Sequence, residues 1–427
     1  MAIPPTDAPL ERAIGFGALK LLALRASDAD RKFAVTDENV SVAIDICRQL
    51  DGVPLAIEMA VARVRQLGLT GVRDHLKDRL HVLRSERDAP SRQQTLQATL
   101  DWSYALLLPN ERKLLRRVAV LVNGFTLDMA QAVASDPELD DLAILDALGG
   151  LVEKSLVQVV GGDRDEQPRY FLLETTRLYA LDQLSAAGET EAFLERRGQV
   201  LATWAAETSA AYLETPEQVW LRRCLPEWEN VMTGLDWAQS RGAADQFIPL
   251  FIAAARMAPH GGDVVVVRRY VDTTCSIARD VTPESATQLL RSVGDCLALV
   301  SNRRALETYR AAVEKARASG DRWLLYWSLV AYARLLASGS NLEAPKVTDA
   351  VIDEARGLED PSWPKVVRAI LRHAEGGACA EGGDIMNARA RYLEALKLHT
   401  EARSASGARA ARLALLDIEA RAGNDAE

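Results

Sequence analysis

At 427 residues the chain is too long for a single hydrophobic core, and its length points to two to four domains. Hydrophobic residues at 48% and charged residues at 26% describe an ordinary folded protein and exclude wholesale disorder. With 51 Lys+Arg against 60 Asp+Glu the net charge is −9, so the molecule as a whole is not a basic nucleic-acid binder.

The first helix is expected over residues 10–26. A second opens at Thr36, a side chain suited to an N-cap, with Asp37 and Glu38 in the first turn, where the helix dipole favours anions. Val40, Ala43, Ile44, Cys47 and Leu50 share one face of it, as a packed helix requires. Gly52 ends this helix, and Pro54 starts the next at the position proline tolerates best.

Residues 91–188 read as a different unit. Helices are expected at 94–107, 109–122, 127–135 and 139–154. The alternating segment 155–160 then reads as a strand, 161–168 as a turn, 169–173 as the returning strand and 175–187 as a helix. Helices followed by a β-hairpin make a winged helix-turn-helix. From 189 to the end the pattern is helical, and Ala305-x-x-x-Tyr309-x-x-Ala312 recurs as Ala388-x-x-x-Tyr392-x-x-Ala395, 83 residues on. That offset is about two helical-hairpin repeats, with a middle unit at 344–355 and turns at Gly320-Asp321 and Gly383-Asp384. The alanines let neighbouring helices approach, and each tyrosine fills the groove beside them. The expected fold is mainly α: a helical domain at 1–90, a winged helix with its small β-hairpin at 91–188, and a tetratricopeptide-like (TPR-like) α-superhelix at 189–427.

The cysteines (Cys47, Cys224, Cys275, Cys296, Cys379) are odd in number and never form a C-x-x-C pair, a pattern of free thiols. The histidines (His75, His81, His260, His373, His399) include no H-x-x-x-H, and no G-x-S-x-G elbow occurs, so neither a metal nor a catalytic residue is expected. The opening residues lack the pattern of a signal peptide, and the apolar stretch at 247–258 holds Pro249 and Arg256. A soluble, cytoplasmic protein with no membrane partner is the expectation.

The winged helix raises the question of DNA. Its recognition helix and the approach to it carry Asp136, Glu138, Asp140, Asp141, Asp146 and Glu153, opposed only by Lys154. Phosphate contacts need Lys and Arg, so direct sequence-specific DNA binding is not expected, and a structural role between domains is. Residues 61–120 differ, with 12 Lys/Arg against 6 Asp/Glu. There Arg63, Arg65, Arg73, Lys77, Arg79, Arg112, Arg116 and Arg117 offer charge to an acidic partner or nucleic acid; the plainer expectation is the solvated faces of amphipathic helices.

Several segments together resemble the bacterial signal-transducing NTPases with numerous domains (STAND), of the NB-ARC type found in transcriptional regulators. They are Ile46-Cys-Arg-Gln-Leu-Asp-Gly-Val-Pro-Leu-Ala-Ile-Glu58, Thr95-Leu-Gln-Ala-Thr-Leu-Asp-Trp-Ser-Tyr104, Leu108-Pro-Asn-Glu-Arg112, Asn123-Gly-Phe-Thr-Leu127, Leu151-Val-Glu-Lys-Ser-Leu-Val157 and Leu172-Leu-Glu-Thr-Thr-Arg-Leu-Tyr-Ala180. In that family a nucleotide-binding α/β domain precedes a helical domain with a Gly-x-Pro motif, a winged helix and a helical sensor. Here no G-x-x-x-x-G-K-[ST] occurs, and Gly15-Phe-Gly-Ala-Leu-Lys20 lacks its spacing. The N-terminal P-loop domain is therefore read as lacking, and ATP or ADP is expected only if a nucleotide-binding domain is supplied elsewhere.

The resemblance implies that Gly52, Pro54 and Leu55 are the vestige of an adenine contact. It also sets the Met-His-Asp triplet of plant and animal relatives at Leu172-Leu173-Glu174, where Leu173 cannot donate a hydrogen bond and is expected in the core. The implied function is the sensor and transducer portion of a STAND-type regulator, not an enzyme by itself. It would act through protein or ligand contacts on repeats framed by Ala305, Tyr309, Ala312, Ala388, Tyr392 and Ala395. Two alternatives stand: a scaffold or inhibitor docking on a complete paralogue, and an ATPase completed in trans by a separate P-loop protein. A P-loop or DNA-binding protein is accordingly among the expected partners.

Overall fold

The computed structural model describes residues 1–5, 8–29, 33–50, 52–83, 91–161, 167–261, 263–299, 301–338 and 345–424. They form two compact units, Met1–Arg197 and Gly198–Glu427, whose division falls within the helix Thr190–Ala210. The expected boundary at residue 90 borders residues outside those described. None of the described helices is long and apolar enough to cross a membrane.

The first unit opens with two helices where one is expected, Leu10–Ala13 and Gly17–Ala29. The amides of Gly15 and Phe16 bond back only three residues, to Arg12 and Ala13, so the helix tightens and stops at a pair of poor helix formers, Gly15 and Gly17. The next helix begins at Val40, not Thr36. Asn39 Oδ1 accepts the Thr36 amide at 2.8 Å while the Thr36 carbonyl accepts from Asn39 and Val40, closing a turn ahead of the helix. Its apolar face is as expected: Val40, Ala43, Ile44, Cys47 and Leu50 are buried, packed with Leu19, Leu22, Ile57 and Val72. Pro54–Val61, Val64–Leu83 and Ser91–Ala105 follow.

Pro109–Val118, Leu127–Ala134 and Asp141–Glu153 then pack around Leu114, Val118, Phe125, Ile144, Leu148 and Leu151. The hairpin pairs Gln158–Val160 with Arg169–Phe171 in antiparallel register, Val159 opposite Tyr170. It is shorter than expected because Leu156 and Val157 turn into the core before the pairing begins. Phe125 adds a separate antiparallel bridge to the second strand, exchanging backbone hydrogen bonds with Tyr170 at 2.9 and 2.8 Å. Glu174–Ala186 completes this winged helix.

The second unit is an array of antiparallel helix pairs. After Glu217–Cys224 come Trp228–Arg241 with Ala244–Met257, the short Val264–Arg268, and Val271–Asp280. Three hairpins follow: Pro283–Ala298 with Asn302–Ser319, Arg322–Leu336 with Pro345–Leu358, and Lys365–Glu381 with Ile385–Glu401. Ala405–Asn424 caps the row. The middle repeat expected at 344–355 falls on Pro345–Leu358, its first residue lying outside the described ones. Gly320 and Gly383 both take a left-handed φ, +71° and +79°, and the aspartates after them cap the next helices through their side chains. Ala244–Met257 and the first helices of the three hairpins, Pro283–Ala298, Arg322–Leu336 and Lys365–Glu381, pack side by side in one layer.

Candidate functional site

The six residues singled out in the repeats are all buried, five of them fully and Tyr392 at 6% exposure. Each tyrosine lies against a glycine of the preceding helix. A Cβ on Gly294 would come within 2.5 Å of the Tyr309 ring, and one on Gly376 within 2.8 Å of Tyr392. The alanines thus set the approach of the helices, and the glycines admit the ring edge on. These two glycines are not evident from the repeated motif, although their spacing of 82 residues nearly copies that of the tyrosines.

The layer of first helices carries two charged clusters. Around Glu375, which is 1% exposed, Arg356, Arg372 and Arg391 converge at 3.0–3.2 Å, and Arg372 also pairs with Glu359 and Glu394. Arg368 joins through Glu359 at 2.9 Å and Arg356 also reaches Asp353 at 2.9 Å, so four arginines meet four carboxylates. The second cluster is built on Asp295. Arg291 and Arg334 reach this carboxylate at 3.0 and 3.3 Å, and the Tyr309 hydroxyl donates to it at 2.7 Å. Arg291 also lies 3.7 Å from the Trp327 ring centroid. Arg256 approaches the same ring at 5.6 Å, sits 5.0 Å from the Tyr212 ring and donates to the Ser209 carbonyl.

Two guanidiniums therefore share one carboxylate, and a third, that of Arg256, lies against the same Trp327 ring as Arg291. Arg291 Nη2 and Arg256 Nε are buried without a hydrogen-bond partner. Burial, followed by the like charge of Arg291, lowers the Arg256 pKa to about 9. An unpaired buried charge costs several kcal/mol, of which a cation–π contact returns about 2 kcal/mol. Sequence reading did not find this cluster. Its one visible signal is that Arg291 and Arg334 stand 43 residues apart, close to the repeat length.

On Ile385–Glu401, outside that layer, His399 is 4% exposed, and burial together with the neighbouring His373 holds its pKa down at about 4. All five cysteines are free thiols, and burial pushes Cys47, Cys224 and Cys296 up to about 12, far from a reactive thiolate.

On the winged helix, the Asp141–Glu153 helix exposes Asp141, Leu142, Leu145, Asp146 and Glu153, with Leu142 at 66% and Leu145 at 45%. Lys154 does not serve that face: its ammonium pairs with the buried Glu111, whose other oxygen accepts the Leu108 amide at 2.8 Å. The exposed surface of this helix is acidic and apolar.

The arginines of the 61–120 stretch differ from the solvated faces expected of them. Arg63 is 1% exposed, and burial lowers its pKa against the pull of Glu111. Arg112 binds the carbonyls of Tyr104 and Ala105 at the end of Ser91–Ala105. Arg116 pairs with Glu189 at 2.5 Å, Arg117 with Asp136 at 2.6 Å and Arg73 with Asp74 at 2.7 Å. Arg65 is exposed, while the side chains of Lys77, Arg79 and His81 lie outside those described.

At the Gly-x-Pro segment, Gly52 takes φ +61°, and a Cβ there would meet the Met1 carbonyl at 2.6 Å. Pro54 is exposed and Leu55 half-buried at the start of Pro54–Val61. Leu173 is not core as expected. It is 36% exposed, because it leaves the hairpin to become the extended residue before Glu174–Ala186.

A winged helix-turn-helix domain family matches residues 107–185. Two relatives, from Mycobacterium tuberculosis and Mycobacterium bovis, are named as HTH-type transcriptional regulators and are 34% identical over 393 residues, covering 80% of this chain and 44% of theirs. An uncharacterized M. tuberculosis protein is 41% identical over 181 residues, 42% of this chain and 46% of its own. The chain thus spans less than half the length of the curated relatives it matches. Among solved structures, a STAND protein with a tetratricopeptide repeat sensor from Pyrococcus horikoshii aligns over 93% of this chain and 62% of its own. With 12% identity and a TM-score of 0.32, that likeness bears on neither fold nor function.

Proposed function

We propose that this chain is the sensing and transducing part of a STAND-type transcriptional regulator, in which the helical array receives a ligand or protein signal and the winged helix passes it on. The observation that carries the reading is similarity over four-fifths of the chain to proteins named as transcriptional regulators. The buried tyrosine and glycine frame supports it by giving the array a fixed layer of helices on which side chains from distant repeats are presented. The acidic and leucine-bearing face of Asp141–Glu153 supports a winged helix that meets protein rather than nucleic acid. In this proposal the chain divides at residues 90 and 188, works in the cytoplasm and performs no catalysis by itself. Gly52, Pro54 and Leu55 are the remnant of an adenine contact, with nucleotide supplied only where another domain or protein brings a P-loop.

Transcript profiling of a strain lacking the gene tests the reading. A confined set of genes should change and return on complementation with the wild-type chain. Identical transcripts in deletion, wild-type and overexpressing strains would contradict it.

A further inference from the structure

Glu375 and Asp295 lie in the same layer of helices and attract arginines in the same way, yet only the first cluster is balanced. There Arg356, Arg368, Arg372 and Arg391 meet four carboxylates, Asp353, Glu359, Glu375 and Glu394. At Asp295 a single carboxylate serves Arg291 and Arg334, and Arg256 has only a backbone carbonyl and two aromatic rings. The other carboxylate acting on this region, Glu217, is already committed. It accepts the amide and hydroxyl of Ser406 at 2.9 Å each and the Ser404 hydroxyl at 3.2 Å.

Those same bonds bring the helix Glu217–Cys224 against the start of Ala405–Asn424, so the row of helices turns back on itself. Tyr212, just ahead of Glu217–Cys224, stands over Arg256. The floor of the cluster is closed, with the Arg291 side chain 5% exposed, while Arg334 at 41% and Asp295 at 34% remain open to solvent. Buried positive charge in excess, donors without acceptors and one accessible side are what an oxyanion requires.

We propose that Arg256, Arg291 and Arg334 form a binding site for a small organic anion whose carboxylate or phosphate group takes the donors that Asp295 leaves unmatched. Bidentate donation by the guanidiniums gives the group its geometry, and Trp327 and Tyr212 shield the site from water. This deepens the sensor reading by naming the chemistry of the signal, and it rests on that reading for its biological role.

The test is calorimetry and thermal melting of the full chain with two probes, inorganic phosphate and succinate, at fixed ionic strength. Saturable binding of either one, with a raised melting temperature, is expected below about 20 mM, where a Kd of about 1 mM is nearly saturated. Phosphate alone or succinate alone would name the group recognised. Arg334→Gln should weaken binding by about tenfold or more, without lowering the melting temperature of the unliganded protein, because its side chain is 41% exposed. Arg256→Gln provides a second variant with the same expected loss. No binding of either probe by the wild type, or equal binding by wild type and Arg334→Gln, would overturn the proposal. Failed binding beside an intact transcript response would remove the anion and leave the regulator reading. Intact binding with no transcript response would do the reverse.

Discussion

Two regions of this molecule are rich in arginine, and they treat it in opposite ways. In the winged helix, cations are matched by partners inside the same unit: Arg116 by Glu189, Arg117 by Asp136, Lys154 by Glu111, and Arg112 by the carbonyls at a helix end, whereas the buried Arg63 before it has no ion pair among the described residues. In the helical array, Arg291 and Arg334 come from separate helices to share one aspartate, and Arg256, from a third, meets only aromatic rings and a backbone carbonyl among the described residues. A count along the sequence places the charge surplus in the first region alone, but in the folded chain cations there are paired, Arg116, Arg117 and Lys154 among them, and a further set of under-matched arginines lies in the second. Local charge is therefore a poor guide to a binding surface unless the pairing is known.

The largest effect that would sharpen this comparison lies at Glu111. Glu111→Gln keeps an acceptor for the Leu108 amide but leaves Lys154 without its countercharge in a largely buried place. It should cost about 3 kcal/mol or more in urea unfolding. A loss below about 0.5 kcal/mol would mean that the first region's charges are not structural.

Next comes pH. His399 has a folded pKa of about 4 against an ordinary value of 6.5. The unfolded chain therefore takes up the proton first, and stability held above pH 6.5 is lost as pH falls toward 4, by about 3 kcal/mol at most. His399→Gln should flatten the melting temperature across that window. An unchanged slope would break the account of this end of the array.

Ala312→Leu and Ala395→Leu should each cost about 1–3 kcal/mol, since both alanines are fully buried where helices meet. Neutral results in thermal melts would undo the repeat frame that brings the three arginines together. The smallest effect is expected at Arg334→Gln. Its side chain is 41% exposed, so without ligand its stability should stay within about 0.5 kcal/mol of the wild type. A large destabilisation in the same melts would make the second region as structural as the first.

Much of the fold was legible in the sequence because it rests on local rules. The buried face of Val40–Gln49, the proline opening Pro54–Val61, the glycine-aspartate turns and the paired Ala-Tyr-Ala motifs all follow from spacing and capping. Helix ends were less so: the break at residues 14–16 and the late start at Val40 depend on turn hydrogen bonds that spacing does not reveal. Leu173 was misjudged because an apolar residue at the end of a strand can serve the next helix instead of the core. The arginine cluster was illegible for a deeper reason. Its successive members lie 35 and 43 residues apart, and what distinguishes them is the scarcity of acids around them in space.

In the function proposed above, recognition belongs to the array, and the winged helix is a joint rather than a reader of DNA. Fluorescence anisotropy of the full chain against fragmented genomic DNA, followed across salt concentration, tests it most directly. No specific binding is predicted, and any weak binding should disappear by about 150 mM salt, as non-specific phosphate contacts do. Sequence-specific binding that survives that salt, and is lost when residues of Asp141–Glu153 are changed, would contradict it.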